Sequence, residues 1–224
     1  MSKANVERIN EILTAARSDG RLATCQDKNL RRACGRLVES GKLVMPYQGL
    51  FAEKAYWDEL EMRQQAKCMI KSLARMHPSW VFCSHSAAVL HGLEVSTSKL
   101  KHVHVVGTRE PCGIVRFHNN RHAETAMVDG VAVTTLERTV CDCVRANGFR
   151  YGLATVDSAL RTSQVSPEEF RDRLERVCKA INNGQFVLDV FDYGDGRSEN
   201  GGESYARAVM IENGVQLPDL QVEL

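Results

Sequence analysis

Apolar positions recur at three- and four-residue intervals along most of the chain and shift to short alternations in a few places. Val6, Ile9, Leu13 and Ala16 predict an amphipathic first helix, closed by Ser18-Asp19-Gly20. Leu30, Ala33, Cys34, Leu37 and Val38 fall on one face of a helix that begins at Lys28. Residues 21–26, between the two, can supply a short helix of their own. After Ser40-Gly41 the pattern becomes two short strands, Leu43-Val44-Met45 and Leu50-Phe51-Ala52, around a Pro46-Tyr47-Gln48-Gly49 turn. A long helix over 55–76 follows, with Ala66, Met69, Ile70 and Leu73 as its stripe and His77-Pro78 as its stop.

Further along, 80–83 reads as a short apolar strand, and Ser84 can cap a helix that runs to His91 and ends at Gly92. Strands are expected over 102–107, 113–118 and 128–134, the last with Asp129-Gly130 as a tight turn. Thr134 and Glu137 have the spacing of a capping box, opening a helix that buries Leu136, Val140 and Val144. Another helix over 152–161 buries Leu153, Val156 and Leu160. Ser166-Pro167-Glu168-Glu169 opens a third, with Phe170, Leu174, Val177 and Ile181 inward and Asn182-Asn183-Gly184 at its end. Periodicity does not decide between strand and helix for 185–193. A Gly-rich loop over 194–202 precedes a helix over 203–213 with Ala206, Val209 and Met210 inward, and 220–224 begins an apolar alternation.

With 43% hydrophobic and 25% charged residues in 224, the chain reads as one or two globular domains. No apolar run is long enough for a bilayer and the N-terminus lacks a signal-peptide core, so a cytoplasmic location is expected. The eight cysteines are scattered with no CxxC and read as small buried hydrophobes of a reducing compartment.

Charge changes the picture at one place. The formal net charge is only +1, yet 28–42 holds Lys28, Arg31, Arg32, Arg36 and Lys42 against the single acid Glu39. Arginines opposite an apolar stripe can be no more than a solvated helix face. Their order here, a helix, a short helix, a cationic helix and a hairpin, is that of a winged helix-turn-helix, which sets its helix in the major groove and its hairpin along the backbone. On that reading the DNA contacts are Lys28, Arg31, Arg32, Arg36 and Lys42, with Tyr47 and Gln48 in the wing. Lys67 or Lys71 on the following helix can touch phosphate or solvent.

Two runs carry a family resemblance. Ser84, Ala87, Ala88, His91 and Gly92 match a Ser-x-x-Ala-Ala-x-x-His-Gly stretch. Gly130, Val131, Val133, Thr134, Arg138, Thr139 and Asp142 match Gly-(Val/Ile)-x-Val-Thr-x-x-x-Arg-Thr-x-x-Asp. Over roughly 1–180 the chain resembles the AbiEi family of antitoxins and transcriptional regulators of abortive-infection systems. The resemblance implies a nucleotidyltransferase toxin as partner of the middle domain, which alternatively serves oligomerisation; the winged module implies double-stranded DNA, and a homodimer on a paired operator site would raise affinity. The tail resembles the opening of a very-short-patch-repair-endonuclease-like domain through Glu203, Ser204, Arg207, Gly214, Pro218 and Gln221. Such folds take their metal mainly from carboxylates on later strands, and the sequence to Leu224 reaches none of them. Glu203 is then at most an accessory ligand, and the chain is expected not to cut DNA.

The expected fold class is α+β, in four parts: a winged helix-turn-helix (1–54), a linking helix (55–78), an AbiEi-like α/β domain (79–184) and a truncated endonuclease-like start (185–224). His85, His91, His102, His104, His118 and His122, with Cys83, offer zinc donors, but their spacing matches no standard finger and no metal is assigned. Arg138 and Asp142 stand four apart and can pair, with Glu137 beside them. No catalytic residue beyond Glu203 and no cofactor is assigned; magnesium enters only if the alternative, a truncated repair endonuclease, holds.

Overall fold

A computed structural model of the chain describes residues 3–120 and 123–217. It divides into two compact units, residues 1–79 and 80–224. The expected strand over 220–224, together with Pro218, Gln221 and His122, lies outside the described residues.

The first unit runs α1 (Lys3–Ser18), β1 (Ala23–Thr24), α2 (Lys28–Glu39), β2 (Leu43–Tyr47), β3 (Leu50–Glu53), α3 (Lys54–Glu59) and α4 (Met62–Met76). Its three strands form an antiparallel sheet in the order β1-β3-β2. Ile9, Leu13 and Ala16 of α1 meet Ala33 and Cys34 of α2 over Leu43 and Phe51 of the sheet. Burying this stripe is the main stabilising term, since a two-layer unit of this size has little else to hide from water. Val6, expected in the stripe, is 36% exposed and lies beyond the reach of the core.

Three expectations need correction in this unit. Residues 21–26 hold no helix; Ala23 and Thr24 pair with Phe51 and Leu50 as the third strand, because one ladder on β3 satisfies backbone groups that a single isolated helical turn would leave open. The wing turn is shorter than expected: β2 runs through Pro46 to Tyr47, which pairs with Leu50, leaving Gln48 and Gly49 as the turn with Gly49 at φ +80°. The register shifts between Val44 and Tyr47, around Pro46, which has no amide to give to a ladder. The helix over 55–76 is two helices. Leu60 is extended (φ −74°, ψ 131°), and Glu61 restarts the chain as the N-cap of α4 in a reciprocal capping box with Gln64. The helix α4 is not a free spacer: the Ser72 hydroxyl accepts the Leu22 amide at 2.8 Å in the interior of this unit.

The second unit holds α5 (Ser84–Leu90), a 3-10 turn (Thr97–Lys101), β4 (Val103–Val106), β5 (Val115–His118), β6 (Thr125–Val128), β7 (Val131–Thr134), α6 (Leu136–Thr162), α7 (Pro167–Cys178), α8 (Gly184–Phe191) and α9 (Gly201–Glu212). β4 and β5 pair in parallel, and β6 and β7 form an antiparallel hairpin about Asp129-Gly130. The span 128–134 is thus a turn and one strand, with its partner strand upstream. Phe82 bridges Val105 on one side and Val133 on the other, joining ladder and hairpin through the apolar segment expected as a strand. Helices α5, α7, α8 and α9 pack around α6, which bends where Gly148 takes φ 73°.

Other helix ends differ by small steps. Cys83, not Ser84, is the N-cap of α5, and Ser84 itself sits at φ 50°. Thr135 rather than Thr134 caps α6, accepting from the Arg138 amide; Thr134 is held in β7 by the sheet. The undecided segment 185–193 is helical in α8, and its first residue admits no side chain, since a Cβ on Gly184 would lie 2.1 Å from the Cys178 carbonyl oxygen. The inward face of α9 is Ser204, Arg207 and Ala208, not Ala206, Val209 and Met210.

Candidate nucleic-acid interface

Helix α2 is set by its start. Asp27 accepts the amides of Asn29 and Leu30, both at 2.8 Å, so the first turn carries its own anionic cap. Ala33 and Cys34 are essentially fully buried, with Leu30, Leu37 and Val38 partly so. That fixes the rotation of the rod and leaves Lys28, Arg31, Arg32 and Arg36 exposed. Lys42 and Gln48 are also exposed, and Tyr47 is half-buried.

The four helix cations do not act alike. Lys28, Arg32 and Arg36 follow one another at four-residue spacing along one ridge. Arg31 is tied back: its Nε and Nη2 donate to the Cys25 carbonyl at 3.2 and 3.1 Å. Arg32 and Arg36, together with Arg8 and Asn5 of α1 and with Asn29, line an open cavity of about 670 Å³. Its one carboxylate, Asp27, is already engaged by the helix cap. Arg8 was missed in the sequence. Its signal is its place on α1 away from the Ile9, Leu13 and Ala16 stripe, and only the packing of α1 beside α2 brings it to Arg32 and Arg36. Arg17, also on α1, is used internally, 4.4 Å over the Tyr56 ring and 3.9 Å from Glu53.

In the second unit the two motif runs meet. His91 Nε2 lies 2.8 Å from the Thr134 carbonyl oxygen, and the Thr134 and Thr139 hydroxyls are 2.8 Å apart. Arg138 Nε donates to Asp142 at 3.0 Å, the Arg138 guanidinium also reaches Asn120 Oδ1, and Asn120 returns a bond to Asp142 at 3.0 Å. This closed triad is a structural link, as the spacing suggests. Glu137 lies 3.8 Å from Arg173 on α7. Arg138 also borders an open cavity of about 520 Å³ with Asn120, Asn182 and the exposed Arg145.

Three histidines form a line. His104 Nδ1 is 2.8 Å from His118 Nε2, and its ring centroid is 5.2 Å from that of His85. His85 reaches Ser84 and Asn147, each at 3.1 Å. Burial holds His85, His91, His104 and His118 below the usual imidazole range, and the neighbouring histidines push His104 further, to about 3. Neutral rings can hold these contacts, since each has one donor and one acceptor. His102 and Cys83 do not join them in a donor set; among the described residues no group of three or more His, Cys, Asp or Glu side chains is arranged to hold a metal ion.

The tail residues have structural work in the second unit. Arg207 pairs with the fully buried Asp157 at 2.6 Å and donates to the Tyr193 carbonyl at 2.8 Å. The hydroxyls of Ser204 and Ser198 are 2.9 Å apart. Glu203, the accessory-ligand candidate, accepts the Glu199 amide at 2.8 Å and the Asn200 side chain at 3.2 Å, closing the start of α9.

Residues 80–183 match the family model of the AbiEi antitoxin C-terminal domain. Both motif runs lie inside that span, and their residues touch through His91, Thr134 and Thr139. Two uncharacterized proteins of Mycobacterium tuberculosis, from strains CDC 1551 / Oshkosh and ATCC 25618 / H37Rv, are each 30% identical to the chain over 187 residues. The alignment covers 82% of this chain and 65% of each relative, so the chain spans a little under two thirds of their length. Among the described residues no helix is long and apolar enough to cross a membrane.

Proposed function

We propose that the chain is a DNA-binding transcriptional regulator of the AbiEi antitoxin kind, which represses its own operon. The observation that carries this reading is the rotation of α2: one flank is sealed in the core, and Lys28, Arg32 and Arg36 stand exposed as a ridge on the other. The helix would enter the major groove, Arg8 and Lys42 would reach phosphates, and the β2–β3 hairpin with Tyr47 and Gln48 would lie along the backbone in the manner of a wing. A homodimer on a paired site would add affinity by multivalency. The AbiEi-matching segment would receive a nucleotidyltransferase toxin, and its exposed Arg145 is a residue such a partner could engage. The first unit departs from the expected winged order in having β1 where a short helix was expected and a tighter turn between β2 and β3, while the cationic helix is still followed by a hairpin.

The test is a mobility shift on the chain's own upstream DNA. Binding should need no magnesium and should weaken steeply with salt. Replacing Arg31, Arg32 and Arg36 together with Ala should abolish the shift. Arg31→Ala alone should cost least of the three, because its guanidinium is held by Cys25. A triple variant that binds as tightly as the parent would refute the assignment.

A further inference from the structure

Cys25 and Cys34 are free thiols whose sulfurs lie 3.3 Å apart. Cys25 follows the two-residue strand β1, and Cys34 sits on the inward face of α2. A disulfide requires about 2.05 Å between sulfurs, so the two need close by only about 1.2 Å. Cys25 also bears on the cationic helix through its backbone. Its carbonyl holds Arg31, and two residues on, Asp27 caps α2.

We propose that this pair is a site of reversible oxidation, closed to a disulfide by a hydroperoxide, and that closure weakens the nucleic-acid interface. The second half rests on the reading of α2 given above. The chemistry balances with hydrogen peroxide as oxidant. Cys25 gives up its thiol proton and its sulfur attacks one peroxide oxygen; the O–O bond breaks, the leaving hydroxide takes that proton and departs as water, and Cys25 becomes a sulfenic acid. The Cys34 sulfur then attacks the Cys25 sulfur, and the hydroxyl leaves with the Cys34 proton as the second water. Two thiols lose two electrons and the peroxide is reduced to two waters. Cys25 is the first attacker because a two-residue strand at the edge of a sheet opens more readily than the middle of a helix. Burial on the α2 face pushes the Cys34 thiol up to about 12, so Cys34 stays protonated and is not the first to meet peroxide. Closing the bond draws the Cys25–Asp27 stretch toward Cys34. Because α2 is packed against a dense core, the shift falls on its capped first turn, which carries Lys28 and Arg31 and leads into Arg32.

The test treats the full chain with graded hydrogen peroxide, blocks remaining thiols, digests with trypsin and reads the peptides by mass. Cleavage after Arg21, Lys28, Arg32 and Arg36 separates the Cys25 peptide from the Cys34 peptide, so a linked pair is diagnostic. The exposed Cys112 serves as the reference thiol. The expected result is a linked pair at peroxide levels no higher than those that oxidise Cys112. A fall in DNA affinity of at least fivefold should accompany it, be reversed by dithiothreitol and be absent in Cys25→Ser, whose folding is checked by circular dichroism. Oxidation of Cys112 with the pair still reduced would overturn the site. Linkage with unchanged DNA affinity would overturn the regulatory half. If the reduced protein shifts no DNA while the linked pair still forms, the oxidation site stands and the DNA-binding reading falls.

Discussion

His104 shows how burial sets chemistry at the scale of one residue. Its ring sits between His85 and His118, and desolvation with two like neighbours holds it neutral down to about pH 3. In the unfolded chain it titrates near 6.5. Between those values the unfolded state binds a proton that the folded state refuses, so stability is full above about pH 6.5 and is lost as pH falls toward 3. His85, His91 and His118 are shifted in the same direction. Denaturant titrations should show the second unit losing on the order of 1–2 kcal/mol between pH 7 and pH 5 from His104 alone, and His104→Gln should flatten that slope. Arg207 carries a different lesson. Its charge is met by the fully buried carboxylate of Asp157, and its guanidinium also donates to the Tyr193 carbonyl. Arg207→Ala leaves a buried carboxylate without its counter-charge and should cost about 3–5 kcal/mol in urea unfolding, whereas Arg150→Ala, which breaks an exposed pair with Glu212, should leave the unfolding midpoint nearly unmoved.

At the scale of elements, α2 is positioned by a cap, a stripe and a sheet. The stripe was readable in the sequence because helical spacing survives any tertiary context that buries one face. The cap was not singled out, although Asp27 stands just before the first helical residue. Asp27→Ala should lower the stability of the first unit by about 1 kcal/mol, seen as a fall of about 4–8 °C in its melting midpoint. Strand β1 was misread as a helix because six residues are too few for periodicity to speak, and its partner Phe51 is far off in sequence. The break at Leu60 was missed for a related reason: apolar spacing over 55–76 continues across it, and only the Glu61–Gln64 capping box marks the restart.

For the whole molecule, the division after Ser79 predicts two cooperative transitions rather than one. Calorimetry should resolve them, with acid shifting the histidine-bearing unit and Asp27→Ala shifting the other. A single transition displaced as a whole by both perturbations would count against the division. The tail belongs to this scale too. Glu203, Ser204 and Arg207 read as the opening of a separate domain, yet they fasten α9 to the loop before it and to Asp157 of α6. A motif of Glu, Ser and Arg names residue types; whether they face a ligand or an interior depends on what packs against them.

By itself the sequence determined most of the helices, the hairpin turns at Gly49 and Gly130, the Arg138–Asp142 pair and the cationic face of α2, all of which follow from contacts within a few residues or from the partition of apolar side chains away from water. It also carried the motif runs within residues 80–183. Only the tertiary structure decided the third strand β1, the joining of two strand pairs through Phe82, the approach of Arg8 to Arg32 and Arg36, the neutral histidine line and the closeness of Cys25 to Cys34. Each of these needs partners brought together by packing, or, as with Cys25, a local fold that spacing does not encode; a one-dimensional pattern records a residue's tendency to be buried but not what it will be buried against.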